Sequence, residues 1–432
     1  MSGNNYKLSY PHRFWLEYGV ELRNALLDHM SFLSTLHLPF FTGEKKLVYN
    51  SSKPLFHSLF MKLMRENIPY FADNDNVPAG DYFNRLEGSE YVFDGVSGEA
   101  PEYGADPGDS CVIGFTFGKE SLLLYGLAEE LGLDTNLVYF EEDDPFGYYE
   151  NKHKRNLSRR FAKKHSKLWF IENSLSLLRF YEHFKAPETQ VGWTRLLTEY
   201  VLMELPLAHA FKSSYILLGN EKSCDFSYVS DEGYDCNPSF DQSSFWTRML
   251  NRMTMGLTDG AVSTVSPVQP IHELAIIKIL HNRYGDIGRY QMSCFTDDDY
   301  GKHDRWCHNC TKCARNYVML LAAGVNPRDI GFRQNMMNKR FAEYYTLFPE
   351  DTTAYTVYDV TGLGRDEQLL SFLLAYENGA RGTLMDRFKN EFLDEARSRE
   401  DELYSEYLTV HSDRLPSRFR DARTIFREEI AY

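Results

Sequence analysis

The sequence has no apolar run near the roughly 18 residues that span a bilayer. Stretches such as Tyr317–Val325 are interrupted too soon, so no membrane partner is expected. The first residues, Met1 to Lys7, carry no hydrophobic segment of the secretory kind, which argues against export and for a cytoplasmic location. Basic residues are in deficit: 47 Lys+Arg stand against 62 Asp+Glu, a formal net charge of −15. That balance disfavours direct binding to nucleic acid or to an anionic membrane, since both draw on an excess of positive charge. An anionic ligand would need a local pocket. No internal repeat is present. Cysteine is sparse, seven in 432 residues, and without a secretory segment this points to metal or catalytic use rather than a disulfide framework.

What is present describes a folded chain. Hydrophobic residues make up 43% and charged residues 25%, which argues against disorder, and the length suggests two or three domains. Aromatics are plentiful, with 29 Tyr and 30 Phe, material for cores and pockets.

Three segments follow from composition and periodicity. Residues 1–105 read as an N-terminal α/β extension and linker. Helix-spaced apolar residues fill Phe14–Leu36 and Leu55–Glu66, Lys46–Tyr49 reads as a strand, and the Gly-, Pro- and acid-rich Asp73–Ser110 reads as a linker or long loop. Residues 106–334 change rhythm. Strand-like runs at Cys111–Thr116, Asn136–Phe140, Lys167–Ile171, Ser214–Leu218 and Ala261–Val265 alternate with helical stretches such as Ser121–Leu131, Lys152–His165, Trp193–Phe211 and His272–Leu280. This alternation predicts an α/β fold, a parallel doubly wound sheet with helices on both faces. Ligands of such sheets bind beyond the carboxyl ends of the strands. Residues 335–432 read as mainly helical and mixed in charge, a solvated face, lid or interface.

Two motifs carry chemistry. The first is Gly114-Phe-Thr-Phe-Gly-Lys-Glu-Ser121, between the first core strand and its helix. Gly118 lets the backbone approach a phosphate, and the helix start offers unpaired N–H groups and a positive dipole end. Thr116 and Ser121 can add hydroxyls, and Lys119 a charge. Three residues separate Gly114 from Gly118 and Glu120 follows Lys119, so the spacing is not that of a Walker A loop. An ordinary strand-to-helix turn is the competing reading. The second motif is Cys294 followed, after twelve residues, by Cys307-His-Asn-Cys310-Thr-Lys-Cys313. Four thiolates so spaced can surround one tetrahedral ion, and zinc is favoured because the ferredoxin run ending in Cys-Pro is absent. A four-thiolate site is closed, so a structural Zn²⁺ module over 294–313 is expected, with His303 and His308 as bystanders.

The loop resembles that of the PP-loop ATP pyrophosphatases, usually Ser-Gly-Gly-Lys/x-Asp-Ser. By position Thr116 stands for the first Ser, Phe117 for the first Gly and Glu120 for Asp, while Gly118 and Ser121 match. Phe117 is a departure whose side chain would crowd a pyrophosphate. Together with the four cysteines, the stretch Cys111–Phe332 is similar to the QueC-like, 7-cyano-7-deazaguanine synthase-like branch. Gly219-Asn-Glu resembles that branch's strand-ending Gly-x-Asn, Gly233–Phe240 its substrate segment with Asn237 in place of Arg, and Ser266-Pro-Val-Gln-Pro with His272–Lys278 its strand-to-helix passage. A comparable resemblance exists to the MurL-type UDP-muramoyl-dipeptide epimerases. It rests on Gly219-Asn-Glu-Lys-Ser223, Glu273-Leu-Ala-Ile276, Trp306-Cys-His-Asn-Cys-Thr-Lys-Cys313 and a long N-terminal extension.

These resemblances imply an adenine nucleotide alpha hydrolase-like core that binds ATP and Mg²⁺. Its implied chemistry converts ATP to AMP and pyrophosphate while adenylylating the carboxylate of a small nucleotide-like substrate. In one version deazaguanine chemistry follows, forming a nitrile or amide or joining a protein amine as acceptor in an antiviral setting. In the other, the α-carbon of UDP-muramoyl-L-alanyl-L-glutamate is epimerised for peptidoglycan synthesis. Lys119, Glu120 and Ser121 are then the catalytic candidates, and Thr116, Gly118, Lys119, Ser121, Glu141, Asn220 and Glu221 the nucleotide-binding ones. A non-catalytic nucleotide-binding module is the rival from another class, and a homodimer is a further expectation.

Overall fold

The computed structural model describes residues 5–96, 98–294, 299–348, 362–411 and 415–430. At its centre is a six-stranded sheet in the order β1-β6-β5-β4-β7-β10. The strands are β1 (Leu8–Ser9), β4 (Gly108–Gly114), β5 (Asp134–Glu142), β6 (Leu168–Asn173), β7 (Ser213–Leu217) and β10 (Ser263–Val265). Five of them run parallel, and β1 adds antiparallel to β6 at one edge. Two small ribbons lie outside the sheet: β2 (Lys46–Ser52) parallel to β3 (Glu90–Gly95), and β8 (Tyr228–Val229) antiparallel to β9 (Asp235–Cys236).

The five parallel strands sit where the apolar runs fall, because each is covered on both faces and must be apolar on both. Alternation within a strand assigns the faces. Cys111, Ile113, Leu137, Tyr139 and Leu217 enter one core, with the helices Lys119–Glu130, Glu273–Arg283 and Thr311–Ala322 and the C-terminal helices. Val112, Val138, Phe140, Ile171 and Ile216 enter the other, with the N-terminal helices, Leu196–Ala210 and Ser244–Leu257. The three sequence segments therefore share two cores across the sheet, and the aromatic surplus is spent inside them: Phe14, Phe32, Phe60, Phe115, Phe117 and Phe161 are all fully buried.

Local differences from the sequence reading have identifiable causes. The stretch Asp73–Ser110 is not a linker throughout: it holds the helix Ala79–Glu87, entered at Pro78, and β3, whose partner β2 lies some forty residues upstream. None of the six β3 residues is buried, so no apolar alternation marks that strand in the sequence. The expected helix Phe14–Leu36 is two helices, His12–Glu17 and Val20–Leu33, broken at Gly19. Trp193–Phe211 begins as a 3₁₀ turn, Val191–Arg195, before the helix Leu196–Ala210. From residue 335 on, the described elements are helical, as expected.

Candidate functional site

The strand order makes β4 the point at which the winding reverses. The chain proceeds from β4 to β5 and β6 on one side, then returns to β7 and β10 on the other. The carboxyl ends of β4 and β7 mark the switch point at which doubly wound sheets bind ligands. The loop Gly114–Gly118 leaves β4 there, and Gly219-Asn220-Glu221 follows β7. The two meet closely: a Cβ on Gly219 would lie 2.7 Å from the Glu120 Cβ.

In the loop, Gly118 is the N-cap of the helix Lys119–Glu130, and no side chain caps that helix's first turn. The Ser121 hydroxyl donates to the Gly118 carbonyl at 3.1 Å, and Thr116 Oγ1 accepts from the Gly118 N–H at 3.3 Å. Thr116 is exposed, whereas Lys119 and Ser121 are buried. Phe117 does not crowd the loop. Its φ of +58° turns the chain through the left-handed region favoured by glycine. Its ring points into the core against Phe115 and Phe161, at centroid distances of 4.9 and 5.7 Å. The backbone thus adopts a glycine-like conformation while the side chain serves as core.

Buried charge surrounds the loop. Lys119 pairs with Glu120 and, at 3.3 Å, with Glu273, which also faces Arg315 at 3.1 Å. Burial opposes the charge of Lys119, but Glu120 and Glu273 outweigh it and hold the amine protonated above its usual range. Burial likewise opposes ionisation of Glu273, and Arg315 with Lys119 overcomes it, taking the carboxyl down to about 2. Glu221 goes the other way: burial, with Glu273 and Glu367 nearby, pushes it up to about 8. Opposed shifts within one cluster are a mark of functional sites, although structural ion networks produce them too. From below, Lys154 donates to the Thr116 carbonyl and pairs with Glu150 at 3.2 Å. Glu204 stands under Gly114, where a Cβ would meet its Oε1 at 2.8 Å, and burial raises its carboxyl to about 8.

Other candidates are engaged elsewhere. Glu141 is held by Arg155, whose Nε donates at 2.5 Å. Asn220 Nδ2 donates to Thr247 Oγ1 at 2.8 Å. Glu221 accepts from the Ser223 N–H at 2.6 Å and so caps the turn that follows. Glu273, Arg315, Lys154 and Glu204 belong to the site without having been singled out by sequence. Only Glu273 and Arg315 carried a signal, the first as the acid opening Glu-Leu-Ala-Ile, the second two residues after Cys313.

The four cysteines meet. Their sulfurs lie within 4.8 Å of one another, with Cys307 Sγ 3.5 Å from Cys310 Sγ and 3.7 Å from Cys313 Sγ. A tetrahedral ion with metal–sulfur bonds of about 2.3 Å sets its sulfurs roughly 3.8 Å apart, so the donor set fits. Backbone N–H groups already point at the sulfurs, from Cys307 to Cys294 at 3.4 Å and from Asn309 to Cys307 at 3.3 Å. His308 accepts from the Arg333 N–H at 3.1 Å, and His303 is exposed, so neither belongs to the cluster. Cys310 also caps the helix Thr311–Ala322, accepting from the Cys313 N–H, and three residues beyond Lys312 that helix carries Arg315 to Glu273. The cluster therefore anchors the helix that delivers a cation to the loop.

Fold and site together define a mixed α/β protein with a mostly parallel central sheet and a four-cysteine cluster that can hold a metal ion. Among the described residues no helix is long and apolar enough to cross a membrane. Comparison of the chain with protein-family models and with curated proteins finds no match.

Proposed function

We propose that the chain is an ATP-dependent enzyme of the PP-loop type that adenylylates the carboxylate of a small nucleotide-like substrate. The observation that carries this reading is the phosphate-loop sequence, with its uncapped helix start, at the reversal point between β4 and β7. The N–H groups of the first turn, the Thr116 hydroxyl and Lys119 would hold the phosphates, with Ser121 bracing the loop through Gly118. Bound ATP with Mg²⁺ supplies a transferable α-phosphate and pyrophosphate as leaving group. Lys119 and Arg315, which both meet Glu273, would stabilise charge on that leaving group, in a site where burial strengthens each interaction. Glu120 and Glu273 keep these cations neutralised until phosphate competes for them. In this reading the four cysteines bind Zn²⁺ in a closed structural site that keeps Arg315 in place.

Pyrophosphate release tests the proposal, run against a panel with 7-carboxy-7-deazaguanine and UDP-muramoyl-dipeptide and with products identified by mass. Release with one substrate, abolished in Ser121→Ala, is the expected result and decides between deazaguanine and epimerase chemistry. Full activity in that variant sinks the loop assignment. Calorimetric binding of Mg-ATP without release under any substrate would identify a nucleotide-binding module instead.

A further inference from the structure

A second cluster of ligating side chains lies outside the loop and the cysteines. His272 precedes the helix Glu273–Arg283, Glu406 sits on the helix Glu400–Tyr407, and His411 follows it. One ring nitrogen of each histidine and a Glu406 carboxylate oxygen lie within 4.8 Å of one another. His272 Nε2 is 3.1 Å from Glu406 Oε1, and the two imidazoles stand edge to face with centroids 5.1 Å apart. His272 is oriented from behind: its Nδ1 bonds to the Ser223 hydroxyl at 2.9 Å, which leaves Nε2 directed at Glu406. A partner on the remote nitrogen is how metal-binding histidines are held in one tautomer and one rotation. The His411 backbone is fixed as well, its N–H donating to the Pro270 carbonyl at 2.8 Å.

We propose that His272, Glu406 and His411 form a second metal site, for a divalent transition ion of the zinc type. Two imidazoles and one carboxylate are the donor set of an open zinc site, with a remaining position for water. Ligand bonds of about 2.0–2.1 Å at a tetrahedral angle put nitrogen and oxygen roughly 3.3 Å apart, close to the 3.1 Å between His272 and Glu406. Glu406 is partly exposed and His272 buried, so the open position faces the Glu406 side. The ion would clamp the C-terminal helices onto the core. It would also act on the loop, since Ser223 joins His272 to Glu221 through its hydroxyl and its N–H.

The test is zinc stoichiometry on the full chain, stripped by a chelator and titrated with Zn²⁺ alone against a chromophoric competitor. The wild type should take two equivalents, the tighter from the four thiolates. Glu406→Gln and His411→Ala should each keep that equivalent. Their affinity for the other should fall by at least the roughly 10–100-fold that losing even a ligand's hydrogen-bond partner costs. With Co²⁺, the variants should retain the thiolate-to-metal absorption and lose only the second component. One equivalent in the wild type, or two undiminished in both variants, would overturn the site and mark the three side chains as a hydrogen-bonded brace.

Discussion

Replacing Glu273 by Gln tests the buried charge cluster at its centre. The carboxylate lies between Lys119, at 3.3 Å, and Arg315, at 3.1 Å, and is taken down to about 2 from an ordinary value of 4.5. The lowered value favours the ionised group in the folded state. Removing one partner of a buried ion pair costs roughly 3–5 kcal/mol, because the remaining charges lose their compensation. A carboxyl lowered on folding contributes stability above its unfolded value near 4.5 and loses it as pH falls toward 2, so the full effect is present at pH 7. At roughly 2–4 °C per kcal/mol for a cooperative unit of 150–250 residues, Glu273→Gln should lower Tm by about 6–20 °C. Glu221→Gln is the internal control. Its carboxyl is raised to about 8, so its contribution to stability is fully present only below about 4.5 and is lost as pH rises through 8. The amide should therefore be neutral or stabilising at pH 7 and more favourable relative to wild type at pH 9. Scanning calorimetry of both variants at pH 7 and 9 reads the outcome. Equal destabilisation by both, or none by Glu273→Gln, would refute the opposed roles assigned to these acids.

Phe117→Gly would place glycine at a backbone already suited to it. It relieves about 1–2 kcal/mol of left-handed cost but removes a fully buried ring worth about 3–5 kcal/mol. Net loss of about 1–4 kcal/mol in urea unfolding is expected, and a more stable variant would show that the ring adds nothing to the core. Cys310→Ser removes a thiolate while its hydroxyl can still cap the helix Thr311–Ala322, so its effect reads the metal ligand and not the cap. It should abolish the tight equivalent of bound metal and expose that helix to proteolysis, whereas a metal-free chain with unchanged Tm would count against the four-cysteine site.

The parallel core was readable because strands buried on both faces are apolar on both, and short apolar runs between helical periods mark them at β4 to β7 and β10. The cysteine module was readable for a related reason: three of its ligands are local, and a six-residue spacing survives without a fold. Phe117 was misjudged because sequence places a side chain without its direction, and only the φ of +58° turns the ring into the core. The pairing of β2 with β3 and the meeting of Lys119, Glu273 and Arg315 join residues separated by tens to hundreds of positions. No local pattern encodes such contacts. The sequence by itself determined which segments become the five parallel strands of the central sheet and which thiols can share an ion. Tertiary structure decided that Lys119, Lys154 and Arg315 meet around the loop at the reversal of the sheet, because only the winding order brings the ends of β4 and β7 side by side.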